Sequence, residues 1–381
     1  MRVKRFYLIF LAALLTVIMG CSPNDAPTQT PTTNTPVPLV TPKTTPNLTT
    51  EETAWNKVVE AAKKEGKLTI YSFNLVGDVG IAVGRAFQDA YGISTDIITG
   101  RGAEFTERVK TEKRMGRLVA DLTEGNATNL KGMKLEGLTI SVASELPVLK
   151  EKDVWLADVL GMDPQDKHLI IFNFTVYSPY VNTSIIKPGE EPTVWKDLLD
   201  PKWKGKMVLT DYTTSAGPYQ LFVPLLREKV IDEEFLKALY KQDLRFASAL
   251  PDEAGLLSRG ERPLSIRGSN NTYSRFITEG APIKAVELKD GLVLSVITMA
   301  AFNGGPHPNA AKVFMNWFLS PGGQGAYSKA ASTSTARKDV PTSLPKAAQI
   351  SPQRPILLTN EYTDEATNLF RDRWLGKLWG R

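Results

Sequence analysis

Residues 67–115 read KLTIYSFNLVGDVGIAVGRAFQDAYGISTDIITGRGAEFTERVKTEKRM, and strand patterns alternate with helix patterns along them. The apolar and β-branched residues at 68–71 and 93–98 predict two short strands. Apolar residues recur at helical spacing in 81–91, and a further helix is predicted within 100–115 after a glycine-containing turn. Strands that alternate with helices in this way indicate βαβ units and a parallel sheet.

The same mixed character continues on both sides of this segment. Upstream, Trp55, Val58, Val59 and Ala62 recur at helical spacing, and Gly66 is placed to end that helix. Downstream, strands are predicted at 169–181, 206–210, 263–267, 285–288 and 292–299, and helices at 219–227, 232–240 and 309–319. The chain contains no repeat of solenoid length. The predicted fold class is therefore α/β.

Length and composition restrict the classes of function. About 330 residues follow the N-terminal fifty, which is enough for two lobes with separate hydrophobic cores. The formal charge of +5 includes Arg2, Lys4 and Arg5, and it falls to about +2 when these are removed. No arginine-rich or aromatic-interleaved patch indicates nucleic-acid binding. With two histidines and one cysteine, a His/Cys zinc site is not expected, and no cofactor is predicted.

The N-terminus has the organisation of a secretory signal. A basic start is followed by an apolar run at residues 6–19 and then by Gly20 and Cys21. The run of about 14 residues is shorter than the roughly 20 that span a bilayer. Residues 1–20 are therefore predicted to be a signal peptide that is removed.

Cys21 is the only cysteine of the chain and cannot form an internal disulfide. It ends LTVIMGC, residues 15–21, which resembles a bacterial lipobox; this implies that Cys21 is lipidated and becomes the mature N-terminus. A free thiol within a signal peptide is the alternative. Residues 22–50 are rich in Pro and Thr and predict an extended tether, so 21–50 form the anchor segment. The protein is predicted to be exported and lipid-anchored, at the outer face of the cell membrane or in the periplasm.

Three segments carry a resemblance to extracellular solute-binding proteins of ABC importers. They are KLTIYS (67–72), PTVWKDLLDPKWKGK (192–206) and PHPNAAKVFMNWFLSP (306–321). The chain is most similar to the branch that includes ferric-iron-binding proteins and relatives that bind small anions or organic ligands. The resemblance implies a two-lobed type II periplasmic-binding-protein fold, in which each lobe is a mainly parallel sheet flanked by helices and two crossing strands join the lobes.

The same resemblance implies where the lobes begin and end. Lobe one would comprise residues 51–172 plus 288–381, and lobe two residues 173–287. The crossings would fall near 173–182 and 283–288, with the ligand in the cleft between the lobes. The tryptophans and leucines of the second signature segment are interpreted as core and turn packing.

Ligands of open α/β sheets bind beyond the carboxyl ends of strands, where helix N-termini favour anions. Four predicted loops meet this condition, at residues 72–74, 99–102, 211–217 and 267–273. The predicted ligand-binding residues, one of them from a crossing strand, are Ser72, Asn74, Thr99, Arg101, Gly102, Tyr177, Thr213, Thr214, Ser215, Arg267, Asn270 and Tyr273.

Arg101 and Arg267 are predicted to pair with an acid group of the ligand. Three of the predicted ligand-binding assignments have a structural alternative. Arg101 would otherwise be a solvated surface arginine, and Tyr177 would belong to the packing of a crossing strand. The hydroxyl-rich loop at 211–217 would otherwise be an ordinary helix N-cap.

The resemblance also bears on metal binding. In ferric-binding relatives, two adjacent tyrosines near the position of Thr272 and Tyr273 coordinate iron, often together with a histidine after the first strand. This chain has one tyrosine there, and Ser72-Phe73-Asn74 contains no histidine. A small anionic or zwitterionic ligand is therefore favoured over Fe³⁺ bound by Tyr273, and no metal site is predicted.

The resemblance thus implies a monomeric substrate-binding subunit that captures a small solute by closure of two lobes and delivers it to an ABC transporter permease. A protein that binds ferric iron or an iron complex is one alternative, and a ligand-sensing subunit of a signalling system is another. An exported hydrolase is the third, but the chain lacks a Gly-x-Ser-x-Gly elbow and a His-Glu-x-x-His motif. No enzymatic activity is expected.

Overall fold

The computed structural model describes residues 49–100 and 102–380. Their strands are β1 (Lys67–Ser72), β2 (Ser94–Thr99), β3 (Leu122–Asn126), β4 (Thr139–Ile140), β5 (Ile170–Asn182), β6 (Met207–Thr210), β7 (Arg245–Ala247), β8 (Leu264–Ser269), β9 (Ile283–Ala285), β10 (Leu292–Phe302) and β11 (Pro355–Leu357). Their helices are α1 (Thr50–Glu65), α2 (Asp78–Tyr91), α3 (Gly102–Arg114), α4 (Ala127–Leu135), α5 (Gly217–Arg227), α6 (Glu233–Tyr240), α7 (Leu250–Ser258), α8 (Asn270–Thr278), α9 (Pro308–Leu319), α10 (Pro321–Ala331), α11 (Asn360–Arg371) and α12 (Trp374–Leu378).

The predictions for the signal peptide, Cys21 and Arg101 concern residues outside these ranges. Among the helices that the structure describes, none has both the length and the apolar character needed to cross a membrane.

Local sequence signals determine where the first helix begins and ends. Thr49 caps α1, because its hydroxyl accepts a hydrogen bond from Glu52 N at 3.2 Å and its N–H donates to the Glu52 carboxylate at 2.7 Å. At the other end, Gly66 adopts a left-handed conformation with φ of 69°, which favours glycine. The chain therefore enters β1 directly after α1.

The first three strands form a parallel group in the order β2-β1-β3. Helices α2 and α3 connect consecutive strands of this group, so the βαβ units predicted from residues 67–115 are confirmed. Phe87 of α2 packs edge-to-face on Phe314 of α9, with ring centres 5.1 Å apart. The apolar face of α2 is thus buried between the sheet and the helix formed by the third signature segment.

Two long antiparallel strands join this group to a second parallel group. Strand β10 pairs with β3 on one side and β5 on the other, and β5 continues into a pairing with β8. Strand β6 pairs in parallel with both β7 and β8, so the sheet order is β2-β1-β3-β10-β5-β8-β6-β7. The predicted strands at 169–181 and 292–299 correspond to β5 and β10, and the α/β fold class is confirmed.

The second signature segment serves packing, as predicted. Trp195 has no exposed surface, and its indole N–H donates to the Gly291 carbonyl at 2.8 Å. Leu198 is fully buried in the same hydrophobic cluster, and Trp203 is 3% exposed. These side chains fix the 192–206 segment against the connection between β9 and β10.

The C-terminal helices complete the second parallel group. Helix α11 packs on α5, and Trp379 stacks on Tyr240 with ring centres 4.9 Å apart. The Trp379 indole N–H donates to the Leu236 carbonyl at 2.9 Å. These partners lie within the predicted lobe two, whereas Trp379 lies in the segment assigned to lobe one. The lobe boundaries remain predictions.

Candidate functional site

The first two predicted loops start side by side at the carboxyl edge of the parallel strands. Ser72, the last residue of β1, lies in register with Thr99, the last residue of β2. Ser72 is buried and Thr99 is exposed. Gly102 begins α3, while the preceding Arg101 lies outside the described residues, so its ligand role stays a prediction.

The polar groups of the first loop point at a carboxylate of the chain itself. Ser72 Oγ, Asn74 N and Asn74 Nδ2 all donate to Glu124 of β3, the last two at 2.7 and 2.6 Å. Sequence analysis missed Glu124, because it lies in a buried strand about fifty residues beyond the loop that it contacts. The only feature of the sequence that could have indicated Glu124 is its position as an acidic residue near the end of a strand in a parallel group, where binding sites form.

The third predicted loop precedes α5 and is organised by Asp211. Its carboxylate accepts hydrogen bonds from the backbone N–H of Thr213 at 2.8 Å and from the Thr213 hydroxyl at 2.7 Å. Thr213 and Thr214 are exposed, whereas Ser215 is half-buried and accepts from Gly217 N at 3.1 Å. The loop therefore presents three hydroxyl side chains at the N-terminus of α5.

Arg267 connects this loop to Tyr177 of β5. Arg267 is 5% exposed, and its guanidinium carbon lies 4.0 Å from the centre of the Tyr177 ring. A β-carbon placed on Gly217 would lie 3.0 Å from Arg267 Nη1 and 3.1 Å from Ser215 Oγ, so glycine at this position leaves room for the guanidinium. We call Tyr177, Ser215, Gly217 and Arg267 the Arg267 site.

The Arg267 guanidinium forms no ion pair among residues 49–100 and 102–380, although the buried Glu253 carboxyl attracts it electrostatically. The buried Nε of Arg267 has no hydrogen-bond partner in these ranges. Arginine keeps its proton in proteins. The site therefore holds a permanent positive charge that no ion pair of the described residues neutralises.

Glu253 lies close to Arg267 but is fully buried itself. Its carboxyl accepts from the hydroxyls of Thr210 and Ser265, each at 2.7 Å, and from Arg267 N at 3.4 Å. Burial raises the pKa of Glu253, because desolvation disfavours the ionised form and outweighs these hydrogen bonds. Glu253 attracts Arg267 electrostatically, but it forms no ion pair with the guanidinium. Sequence analysis missed it as well, since Glu253 lies on α7, outside the four predicted loops.

Asn270 joins secondary-structure elements. It is 1% exposed, and its Oδ1 accepts from Val176 N at 3.1 Å and from Asn271 N at 2.9 Å. The neighbouring Asn271 amide contacts the hydroxyls of Thr175 and Thr333, each at 2.9 Å. These side chains tie α8 to β5 and to the segment after α10, beside the Arg267 site.

Tyr273 lies in the protein core, against Tyr180 and Ser265. It has no exposed surface, its ring centre is 4.6 Å from that of Tyr180, and its hydroxyl lies 2.9 Å from Ser265 Oγ. Burial raises the pKa of the Tyr273 phenol well above its usual value. A phenolate that binds ferric iron must be accessible to the ion, and this side chain is fully buried. Among the described residues, no group of three or more His, Cys, Asp or Glu side chains could hold a metal ion.

A cavity of about 970 Å³ lies elsewhere, between α5, α6 and α11. Its walls are largely apolar and include Leu226, Phe235 and Leu369. Arg227 and Glu365, also in its wall, form an ion pair with each other. No residue of the Arg267 site lines this cavity. We take the Arg267 site as the candidate functional site because it brings together the predicted ligand-binding residues Tyr177, Ser215 and Arg267.

Comparison with known protein families identifies a match over more than half of the chain. A family model described as bacterial extracellular solute-binding protein matches residues 148–353. An uncharacterized protein of Haemophilus influenzae is 26% identical over 272 residues, which cover 69% of this chain and 76% of that protein. The matched family region contains Tyr177, Ser215, Gly217 and Arg267.

Solved structures share the fold at low sequence identity. A Trichodesmium protein (IdiA, FutA) in complex with iron and citrate is 17% identical with a TM-score of 0.65, and the match covers 83% of this chain and 99% of that one. Iron-bound HitA from Pseudomonas aeruginosa is 21% identical with a TM-score of 0.56, covering 80% and 98%. AfuA from Actinobacillus pleuropneumoniae, with exogenous fructose-6-phosphate bound, is 18% identical with a TM-score of 0.53, covering 81% and 98%. By its family match and its fold, the chain belongs to the bacterial extracellular solute-binding proteins.

Proposed function

We propose that this protein captures a small anionic or zwitterionic solute and delivers it to the permease of an ABC importer, with Arg267 as the main anchor for the ligand's acid group. The observation that carries the proposal is the buried Arg267 side chain, whose guanidinium forms no ion pair among the described residues and whose Nε has no hydrogen-bond partner there. Binding and release suffice for this role, so no catalytic step is needed.

The energetics of Arg267 favour an anionic partner. Removing a charged group from water costs several kcal/mol, and stacking on an aromatic ring recovers only about 0.5–2 kcal/mol. A carboxylate or phosphate group would compensate the charge and could accept two parallel N–H···O bonds from the guanidinium. An arginine without an ion-pair partner is thus better stabilised in the complex than in the protein alone, which is the pattern expected of a binding residue.

The groups beside Arg267 suit the same chemistry. Ser215 and the exposed Thr213 and Thr214 supply hydroxyl groups, and α5 begins at Gly217 with the partial positive charge of a helix N-terminus. The flat face of Tyr177 holds the guanidinium plane in position. We propose Tyr177, Thr213, Thr214, Ser215 and Arg267 as the ligand-binding set of this part of the chain.

The ligands named for related structures indicate two classes of acid. One neighbour is a complex with iron and citrate, and another holds fructose-6-phosphate. Both a carboxylate and a phosphate group fit Arg267. An iron complex would be recognised through its carboxylates, since direct coordination by Tyr273 conflicts with the burial of that side chain.

Capture is proposed to occur by closure of two lobes, comprising residues 51–172 plus 288–381 and residues 173–287. Arg267 lies in the second of these and Tyr177 on the long strand β5, which pairs with β10 and β8. A ligand that bridges the lobes stabilises the closed form only by its difference in affinity between the open and closed states.

A thermal-shift screen of the full chain tests this proposal. The probes are citrate, ferric citrate, inorganic phosphate and fructose 6-phosphate, with fructose as the uncharged counterpart of the last. At least one anion is expected to raise the Tm by several degrees at saturation, whereas fructose is not. Stabilisation by fructose alone, or by ferric ion without an organic or inorganic anion, would contradict an anion site at Arg267.

We also propose that Cys21 is lipidated and anchors the protein at the outer face of the cell membrane or in the periplasm. The support is the lone cysteine at the end of a lipobox-like segment, followed by a Pro/Thr-rich tether. Several acyl chains on one residue give stable anchoring. A Cys21→Ser variant is expected to lose signal processing and membrane association in cell fractionation, while Ser22→Ala retains both. Membrane-bound, processed Cys21→Ser protein would show that another segment anchors the chain.

A further inference from the structure

Outside the Arg267 site, a second set of hydrogen-bond donors converges on one carboxylate. The backbone N–H groups of Phe73 and Asn74 donate to Glu124 Oε1 at 2.9 and 2.7 Å. The next N–H, that of Leu75, donates to Ser72 Oγ at 2.8 Å and more weakly to Glu124 Oε1 at 3.3 Å. Ser72 Oγ donates to the same oxygen, and Asn74 Nδ2 donates to Oε2 at 2.6 Å. We call residues 72–75 the β1 cradle.

The β1 cradle has the chemistry of an oxyanion site. Consecutive backbone N–H groups that converge after a strand form a concave donor surface, and a hydroxyl and an amide add to it. Among the described residues, no Lys, Arg or His forms an ion pair with Glu124, which is 1% exposed. The five donors therefore carry most of the stabilisation of this buried carboxylate, as charge-assisted hydrogen bonds.

The fold fixes Glu124 in this position. Strands β1 and β3 are parallel neighbours with Ser72 in register with Glu124, and β10 holds the other side of β3 at Met299. The Phe73 ring lies against Gly125, where an added β-carbon would be 2.6 Å from a ring atom. Glu124 thus reaches the β1 cradle from a central strand, and the aromatic ring packs beside it.

We propose that Glu124 is an internal ligand of the β1 cradle and thereby determines specificity. The cradle would accept a carboxylate or phosphate group from solution, but the chain supplies its own, so the acid group of the solute is directed to Arg267. The inference that the solute is directed to Arg267 rests on the proposed function. The occupied cradle and its negative charge disfavour a second acid group of the solute at the end of β1.

Chemical complementation tests the proposal. Glu124→Ala removes the carboxylate and its adjoining carbon, which together have the size of acetate, and is expected to lower the Tm of the full chain by about 5 °C. Sodium acetate at about 100 mM is expected to recover at least half of that loss, relative to sodium chloride at the same ionic strength. The matched control is Glu124→Gln, whose amide still fills the cradle, so acetate should recover nothing.

The result that overturns the proposal is a folded Glu124→Ala protein to which acetate restores no more than chloride does, or equal recovery for Glu124→Gln. If Glu124→Ala is too unstable to melt, refolding from urea is compared in acetate and chloride. Acetate must then restore folded protein, and a failure to do so counts against the proposal.

A double variant separates this proposal from the proposed function. The β1 cradle and Arg267 share no residue, so Glu124→Ala/Arg267→Ala must retain the acetate recovery of the single variant. Loss of the recovery in the double variant would assign the acetate effect to Arg267 and refute the cradle. Conversely, an Arg267 variant that still binds the solute refutes the proposed anchor and leaves the acetate result intact.

Discussion

Replacing Arg267 with alanine is expected to lower the affinity for the anionic solute about 100-fold or more, because removing one partner of a buried charge pair costs 2–5 kcal/mol. Arg267 is 5% exposed and stacks on Tyr177, so its guanidinium is held in place before the ligand arrives. Arg267→Lys keeps the charge but loses the planar fork, and an intermediate affinity is expected. Isothermal titration calorimetry with the anion that gives the largest thermal shift measures both effects.

Arg275→Ala is the matched control, since it makes the same change of charge on α8, the helix that directly follows the strand of Arg267. The Arg275 side chain is 81% exposed and pairs with Glu279 on the surface of α8, so its loss should leave the affinity unchanged. Without ligand, Arg267→Ala should change the Tm little, because removing a buried charge that has no ion-pair partner offsets the lost stacking on Tyr177 and the lost attraction for Glu253. An affinity within threefold of the wild type for Arg267→Ala would refute its role as the anchor.

The second large effect is expected for stability. Trp195→Ala should lower the free energy of unfolding by about 3–5 kcal/mol, since it removes a large, fully buried ring and leaves a cavity. The change also leaves the Gly291 carbonyl without its indole donor, which lies at 2.8 Å. Urea unfolding followed by circular dichroism measures the loss.

Trp195→Phe separates the two contributions to this loss. It keeps most of the apolar volume and removes the hydrogen bond to Gly291, so a smaller loss of about 1–3 kcal/mol is expected. If Trp195→Ala lost less than about 1 kcal/mol, the second signature segment would not be a packing element and a ligand role for it would have to be considered.

The secondary structure was largely predictable because its signals are local. The capping pair Thr49 and Glu52, the left-handed Gly66 and the alternation within residues 67–115 act over a few residues each. Helices α5, α6 and α9 and strands β5 and β10 also lie where apolar periodicity placed them. The family match and the fold then confirmed the resemblance carried by the signature segments.

The candidate site was predictable only as a set of loops. The predicted carboxyl ends of parallel strands indicated Ser72 and Arg267 as candidates, but the partner of each comes from a distant part of the chain. Ser72 meets a carboxylate 52 residues away, and Arg267 meets a tyrosine of β5 and a glycine of α5. Side-chain direction and burial at these positions depend on how the strands pair.

Local patterning alone thus specified the alternating elements, the α/β class and the segments that pack as a core, because strand and helix periodicity and capping are encoded within a few residues. Tertiary structure distinguished the candidate ligand-binding residues from one another. It placed Arg267 beside Tyr177 without an ion-paired carboxylate, and it buried Tyr273 against Tyr180. It also placed the Glu124 carboxylate within hydrogen-bonding distance of the β1 cradle. These outcomes depend on strand register and on desolvation, and both arise only when distant segments pack together.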